Sequence, residues 1–153
     1  MQIGKTKASY FKEAEQEYLK RLQPYAKVNV ITLKETPIHS GDITDRERAK
    51  THEAEEIVKH LDPQSTIIAL DEHGKSLNSK QLADHLQKIK DFQGANVTFI
   101  IGGPFGLAKN ILAQASLILS FSLFTFTHEI IRTLLLEQLY RSFTIQTGKT
   151  YHY

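Results

Sequence analysis

The sequence contains no cysteine, and this absence removes several classes of protein at once. Disulfide-stapled scaffolds, thiol catalysts and cysteine-based zinc sites are excluded, and a reducing compartment such as the cytoplasm is the expected location. With 153 residues, the chain is long enough to bury a hydrophobic core without such cross-links. We therefore expect a single domain over residues 1–153.

Long hydrophobic runs are also missing. Residues 1–5 lack the apolar segment that is typical of a signal peptide, and every apolar run is shorter than a membrane span. The seven histidines show no metal-ligand spacing such as H-E-x-x-H. We therefore expect neither a membrane nor a metal ion as a partner.

The excess of positive charge is small, with a formal net charge of +2. Such a charge permits a nucleic-acid partner, but a protein that binds RNA by charge alone usually carries a denser stripe of lysine and arginine. An RNA substrate would then require two subunits, or a preassembled target that has its own shape.

Strand-like and helix-like segments alternate along the chain. Residues 28–33 are rich in β-branched side chains, and residues 66–70 and 97–101 are continuous apolar runs, typical of strands that are covered on both faces. Residues 1–3 and 117–119 are shorter candidates. The predicted helices begin near Ser9, Thr44, Ser79, Leu107 and His128. This alternation predicts an α/β fold, with a parallel-rich sheet flanked by helices on both faces.

Three segments follow predicted strands, at residues 70–74, 101–106 and 120–126. Ligands of such sheets bind beyond the carboxyl ends of the strands, so the three segments converge on one pocket if their strands are neighbours. The glycine-rich segment matches no phosphate-loop pattern, and a tight strand-to-helix turn explains it equally well. The ionisable residues at 71–75 are more typical of a solvated turn than of an acid–base site.

Residues 121–126 contain three phenylalanines, which an exposed loop does not normally carry. The segment is either part of the buried core or a wrap around an apolar ligand face such as an adenine ring, and composition alone favours neither.

The helix predicted over residues 128–143 is apolar around most of its circumference. Its polar stripe is narrow and consists of Thr133, Glu137 and Arg141. A small domain covers one helix face with its own sheet, so the second apolar face predicts a homodimer. Glu137 and Arg141 are by default an i, i+4 ion pair, and alternatively they face a substrate.

The tail at 147–153 has two possible interpretations. It is either disordered or a segment that stacks on a base and hydrogen-bonds it.

Taken in order, these segments resemble one family. The motifs are LDEHGK at 70–75, FIIGGPFG at 99–106, SFSLFTFTH at 120–128, IR at 131–132, EQLYR at 137–141 and YH at 151–152. Their order and spacing are similar to those of the bacterial 23S rRNA pseudouridine N3-methyltransferases of the H type, in the SPOUT superfamily. Members usually begin with a longer apolar strand than the one before Gly4 here, so we expect either that the true start lies upstream or that the first strand is weak.

The resemblance implies a sheet whose C-terminal part is threaded into a trefoil knot, and a homodimer whose active site spans both subunits. It implies S-adenosylmethionine as the cofactor and a pseudouridine of 23S rRNA, in the assembled ribosome, as the target. The implied cofactor-binding residues are Leu70, Gly102, Gly103, Phe121, Ser122, Leu123, Phe124, Thr125 and Phe126.

Transfer of a methyl group to ring nitrogen N3 requires that N3 lose its proton. On the resemblance, His152 is the candidate base or hydrogen-bond partner, and Tyr151 is a candidate for stacking on the flipped base. Arg132 and Arg141 are candidates for holding phosphates or stabilising a developing oxygen charge. Glu137 would orient one of these arginines. The competing hypotheses are a non-catalytic ribosome-binding factor on the same fold and a flavodoxin-like nucleotide-binding protein.

Overall fold

A computed structural model of the chain describes residues 1–149, in which strands and helices alternate. In chain order the elements are β1 (Gln2–Ile3), α1 (Ser9–Leu22), β2 (Thr32–Leu33), α2 (Ile43–His60), β3 (Thr66–Ser76), α3 (Ser79–Phe92), β4 (Val97–Ile101), α4 (Lys109–Gln114), β5 (Leu117–Ser120) and α5 (His128–Gln146).

The five strands form one sheet in the order β2-β1-β4-β3-β5, and every pairing is parallel. Successive residues of a strand face opposite sides of the sheet. Ile68 and Leu70 accordingly pack in a cluster with leucines of α1, α3 and α5, whereas Ala69 packs in a second cluster with α2 and α4. The predicted α/β fold with helices on both faces is therefore confirmed.

The second strand is shorter than predicted. Of residues 28–33, only Thr32 and Leu33 form a ladder, because their partner β1 offers only Gln2 and Ile3 for pairing. The β-branched composition of residues 28–31 favours an extended chain, but a strand also needs a neighbour that continues alongside it.

The third strand is longer than predicted. Residues 71–74 fall within the bounds of β3, but Leu70 and Lys75 both pair with Leu119, so these four residues loop out of the ladder, with Glu72 and His73 exposed. Gly74 permits the close approach to β5: a Cβ at that position would lie 2.7 Å from the carbonyl oxygen of Ile118. The solvated character predicted for the segment is therefore confirmed, whereas the renewed pairing at Lys75 depends on a tertiary contact that polar composition does not reveal.

Two helices begin within one residue of their predicted positions, at Ile43 and Ser79. The Asp42 carboxylate accepts a hydrogen bond from the backbone N–H of Asp45, and Asn78 forms a reciprocal capping box with Gln81. At both sites the cap is an Asx side chain on the extended residue before the helix, a residue type that is favoured at this position.

Helix α5 packs against α1 and α3 and buries Leu135, Leu136 and Leu139 against the sheet. Several of its other residues are half-buried within the single chain. No helix within residues 1–149 is both long and apolar enough to cross a bilayer.

Candidate functional site

A cleft of about 1110 Å³ lies beyond the carboxyl ends of β3, β4 and β5. Because β3 lies between β4 and β5 in the sheet, the three segments that follow these strands meet there, as the sequence predicted. Helix α2 contributes Arg46 and Lys50 to the rim. The predicted cofactor-binding residues that line the cleft are Leu70, Gly102, Gly103, Phe121, Ser122, Phe124, Thr125 and Phe126.

The glycine turn after β4 forms one wall of this cleft. A Cβ on Gly102 would lie 2.8 Å from the carbonyl carbon of Gly106, and Gly106 itself adopts a φ of +77°. The Gly106 N–H donates to the Gly103 carbonyl over 3.1 Å and closes the turn. The glycines thus permit a backbone wall that a ligand can approach closely, with no side chain in between.

The aromatic segment 121–126 forms another wall of the cleft, and only Phe121 packs against the hydrophobic core. Leu123 is 96% exposed and Phe124 is 78% exposed, and Leu123 does not line the cleft of the single chain. Local hydrogen bonds shape the segment, with the Ser120 hydroxyl donating to the Ser122 carbonyl over 2.8 Å. The Thr125 hydroxyl donates to the Glu72 carboxylate over 2.6 Å and so ties the segment to β3.

Glu137 and Arg141 form the i, i+4 ion pair that was the default interpretation. The Arg141 Nη2 lies 2.5 Å from the Glu137 Oε1, and Gln138 donates to the other carboxylate oxygen over 2.6 Å. Neither member of the pair lines the cleft within the single chain.

Arg132 is enclosed by the chain, and its role in holding phosphates or stabilising a developing oxygen charge stays a prediction. The residue is only 2% exposed, and its guanidinium donates to the carbonyls of Ile3 and Gly4 over 2.5 and 3.0 Å. A third hydrogen bond reaches the Thr6 hydroxyl over 3.0 Å. These hydrogen bonds join α5 to β1 and the segment after it, while the buried Arg132 Nε has no partner among the described residues.

Tyr151 and His152 lie outside the described residues. The last residue that the structure describes, Lys149, places its Nζ 5.1 Å from the centroid of the Tyr25 ring, beyond the end of α1. The proposed roles of Tyr151 and His152 therefore stay predictions.

Two residues of the cleft region were missed from sequence. His128 lines the cleft at the start of α5, where burial and the neighbouring Arg132 cation lower the pKa of its imidazole. Glu53 is 5% exposed and lies behind Gly103, with its Oε2 3.5 Å from the position of a Gly103 Cβ. An acid on the buried stripe of α2, between Ala49 and Ile57, was the available signal for Glu53.

A second cavity, of about 790 Å³, lies near the amino ends of β1 and β4. Leucines of α5 line it, and the Met1 ammonium beside it donates to the Phe99 carbonyl over 2.7 Å. Burial lowers the pKa of that ammonium to about 6, with a further contribution from Arg132. This cavity lies away from the glycine turn and from the converging segments. Within residues 1–149, no group of three or more histidines and acids is placed to hold a metal ion.

Comparison with known proteins gives consistent results. A family model described as "Predicted SPOUT methyltransferase" matches residues 1–152. A protein of Halothermothrix orenii, named Ribosomal RNA large subunit methyltransferase H, is 43% identical over 155 residues, covering 99% of this chain and 96% of that protein. A protein of the same name from Pelotomaculum thermopropionicum is 40% identical, with coverage of 99% and 95%.

Among solved structures, a probable methylase family protein from Haemophilus influenzae Rd KW20 superposes with a TM-score of 0.54. The match covers 99% of this chain and 68% of that chain at 14% identity, so it supports the fold alone. The family match over residues 1–152 and the two relatives at 40% identity or more show the family as well as the fold. The chain that forms this cleft belongs to the SPOUT methyltransferase family, in the group of the large-subunit rRNA methyltransferases H.

Proposed function

We propose that this protein is an S-adenosylmethionine-dependent methyltransferase that methylates N3 of a pseudouridine in 23S rRNA on the assembled ribosome, in the cytoplasm. The observation that carries the proposal is the convergence of the glycine turn and the aromatic segment on one cleft, in a chain of this family. The family relationship supports the reaction class, and the names of the relatives support large-subunit rRNA as the substrate.

The cleft fits S-adenosylmethionine in shape and chemistry. The cofactor carries no phosphate, which agrees with a glycine turn that matches no phosphate-binding pattern. Leu70 and Phe121 offer apolar surface for the adenine ring, and the turn at Gly102 offers main-chain groups for its polar edge. When bound, the cofactor supplies a methyl group on a positively charged sulfur.

The residues of the chain then have three tasks. His152 accepts or orients the N3 proton, and Tyr151 stacks on the base. Arg141, held by Glu137, presents a guanidinium to the RNA or to the oxygen on which charge develops. Because neither Glu137 nor Arg141 lines the cleft of its own chain, we propose that the site is completed by a second copy in a homodimer.

The exposed side chains of Leu123 and Phe124 support such an interface. We propose in addition that the part of the chain that carries the cleft, from β3 to α5, is threaded into the trefoil knot implied by the family. Gel filtration with light scattering tests the dimer, and a monomer at micromolar concentration would remove it from the proposal.

Replacing His152 or Arg141 with alanine should reduce methyl transfer to ribosomes by about 100-fold or more, as is typical when a proton-transfer or charge-stabilising group is removed. Cofactor affinity, measured by calorimetry, should stay within about twofold, because neither side chain is proposed to hold the cofactor. His39→Ala, on an exposed loop, is the matched control and should retain full activity. Full activity in both test variants would remove these roles.

Thr125→Val should weaken cofactor binding by about fivefold, equivalent to about 1 kcal/mol, which is the size of one ordinary hydrogen bond. The substitution removes the hydroxyl that ties the aromatic segment to Glu72 and leaves the side-chain volume almost unchanged. Thr51→Val, on α2 outside the cleft, controls for loss of an exposed threonine hydroxyl. Unaltered affinity in Thr125→Val would show that the tether does not shape the site.

The proposal as a whole is tested by mass spectrometry of rRNA from cells that lack the gene. We expect one pseudouridine of 23S rRNA to lose a methyl group, and the catalytically active protein to restore it. Calorimetry with S-adenosylmethionine separates the competing ribosome-binding factor, which would bind ribosomes without binding the cofactor.

A further inference from the structure

Glu53 is a buried carboxylate with little to compensate its charge. It is 5% exposed, and its Oε1 accepts one hydrogen bond from the backbone N–H of Thr36 over 2.9 Å. Within residues 1–149, no lysine or arginine nitrogen lies within ion-pair distance of it. Burial raises the pKa of this carboxyl and Glu35 adds to the rise, while the Thr36 hydrogen bond and the neighbouring His52 offset part of it. A position of this kind is costly to maintain, so the carboxylate calls for an explanation.

The position of Glu53 links it to the cleft. Both carboxylate oxygens lie behind the glycine turn, 3.5 and 3.7 Å from the position of a Gly103 Cβ. Gly103 has no side chain and lines the cleft on its other side. Only the thickness of one backbone segment therefore separates a buried acid from the space in which the ligand is proposed to bind.

We propose that Glu53 is a positioning residue that acts through Gly103: its carboxylate makes the cleft favour a ligand with a positively charged sulfur over the neutral thioether that remains after transfer. This inference rests on the proposed function, because it concerns the cofactor of the same cleft.

The physical basis is the attraction between the Glu53 carboxylate and a positively charged sulfur in the cleft, which are separated by protein backbone and not by water. Such an attraction is less screened than one at an exposed surface. S-adenosylmethionine and S-adenosylhomocysteine share the adenosine and amino-acid parts and differ in the methyl group and in the charge on sulfur. A fixed negative charge behind Gly103 therefore stabilises the charged substrate form more than the neutral product form.

A purely structural role predicts a different result. Through Thr36, Glu53 also fixes the loop between β2 and α2 against the glycine turn. If this were its whole role, a substitution would distort the wall and weaken both ligands by the same factor. The ratio of the two affinities thus separates an electrostatic role from a structural one.

The experiment measures the affinities of the full-length protein for S-adenosylmethionine and S-adenosylhomocysteine by calorimetry, for wild type, Glu53→Gln and Glu55→Gln. Glu53→Gln keeps the shape and the carbonyl acceptor for Thr36 and removes the charge. We expect it to lower the preference for the charged ligand by about threefold to tenfold, in line with loss of one partly shielded charge interaction. Glu55 is exposed on the same helix, and its replacement should leave both affinities unchanged.

Equal weakening of both ligands, or no change in either, would overturn the inference. If Glu53→Gln does not fold, Glu53→Met provides a second neutral side chain of similar size. Failure of both variants to fold would make the carboxylate a requirement of the fold and would also overturn it. A wild-type protein that binds neither ligand would refute the proposed function itself, whereas an unaltered ratio in a protein that binds both refutes only the role of Glu53.

Discussion

Gly102→Ala is expected to reduce cofactor affinity by about 100-fold, the equivalent of the upper end of the 1–3 kcal/mol that overpacking costs. The added Cβ would lie 2.8 Å from the carbonyl carbon of Gly106 and 3.1 Å from the Leu107 nitrogen. All of these atoms belong to the backbone, so the contact is relieved only if the turn itself moves. Calorimetry measures the loss, and thermal unfolding shows whether the rest of the fold persists.

Gly106→Ala is the matched control in the same turn. Gly106 has a φ of +77°, but no atom lies within 4 Å of a Cβ built there. Alanine at this position should therefore cost only the strain of a left-handed backbone, about 1 kcal/mol, with a correspondingly smaller effect on affinity. If Gly102→Ala bound the cofactor as tightly as the wild type, the glycine turn would not be a wall of the cofactor site.

Arg132→Ala is expected to lower the free energy of unfolding by about 3–5 kcal/mol, the usual result of removing one partner from a buried charged network. The carbonyls of Ile3 and Gly4 and the Thr6 hydroxyl would each lose a donor. For a domain of this size, the melting temperature should fall by about 6–20 °C. Urea or thermal unfolding monitored by circular dichroism measures both quantities.

Arg132→Lys should recover only part of this stability, because an ammonium cannot reproduce the planar fork that reaches three acceptors. A different outcome would support the substrate-binding role predicted for this residue from the sequence. If Arg132→Ala melted like the wild type and lost methyl transfer alone, Arg132 would act on the substrate and not on the fold.

The long, continuous apolar segments made the centre of the fold predictable. The strands at 66–70 and 97–101 were found where the pattern placed them, because buried parallel strands need apolar side chains on both faces. The edges were less predictable: residues 28–31 have strand composition, yet their pairing depends on a partner elsewhere in the chain. Local composition does not encode that dependence.

The candidate site was predictable for the same reason, up to a limit. The rule that ligands bind at the carboxyl ends of parallel strands was enough to bring Leu70, Gly102 and Phe121 together. The roles of charged residues were harder to predict. Arg132 lies in a family motif, but its environment consists of carbonyls 128 and 129 residues earlier in the chain, which no local pattern shows.

That separation also has a consequence for the order of folding. The Arg132 guanidinium holds Ile3 and Gly4 at the end of β1, and β1 itself pairs with Ile101 of β4. Contacts between such distant parts of a chain form slowly, since a long loop must close before any of them is made. During synthesis, the first strand emerges early and can pair with β2, but it waits for most of the chain before its partners in β4 and α5 exist. We therefore expect the N-terminal segment to be the last part to gain protection from hydrogen exchange as the protein folds.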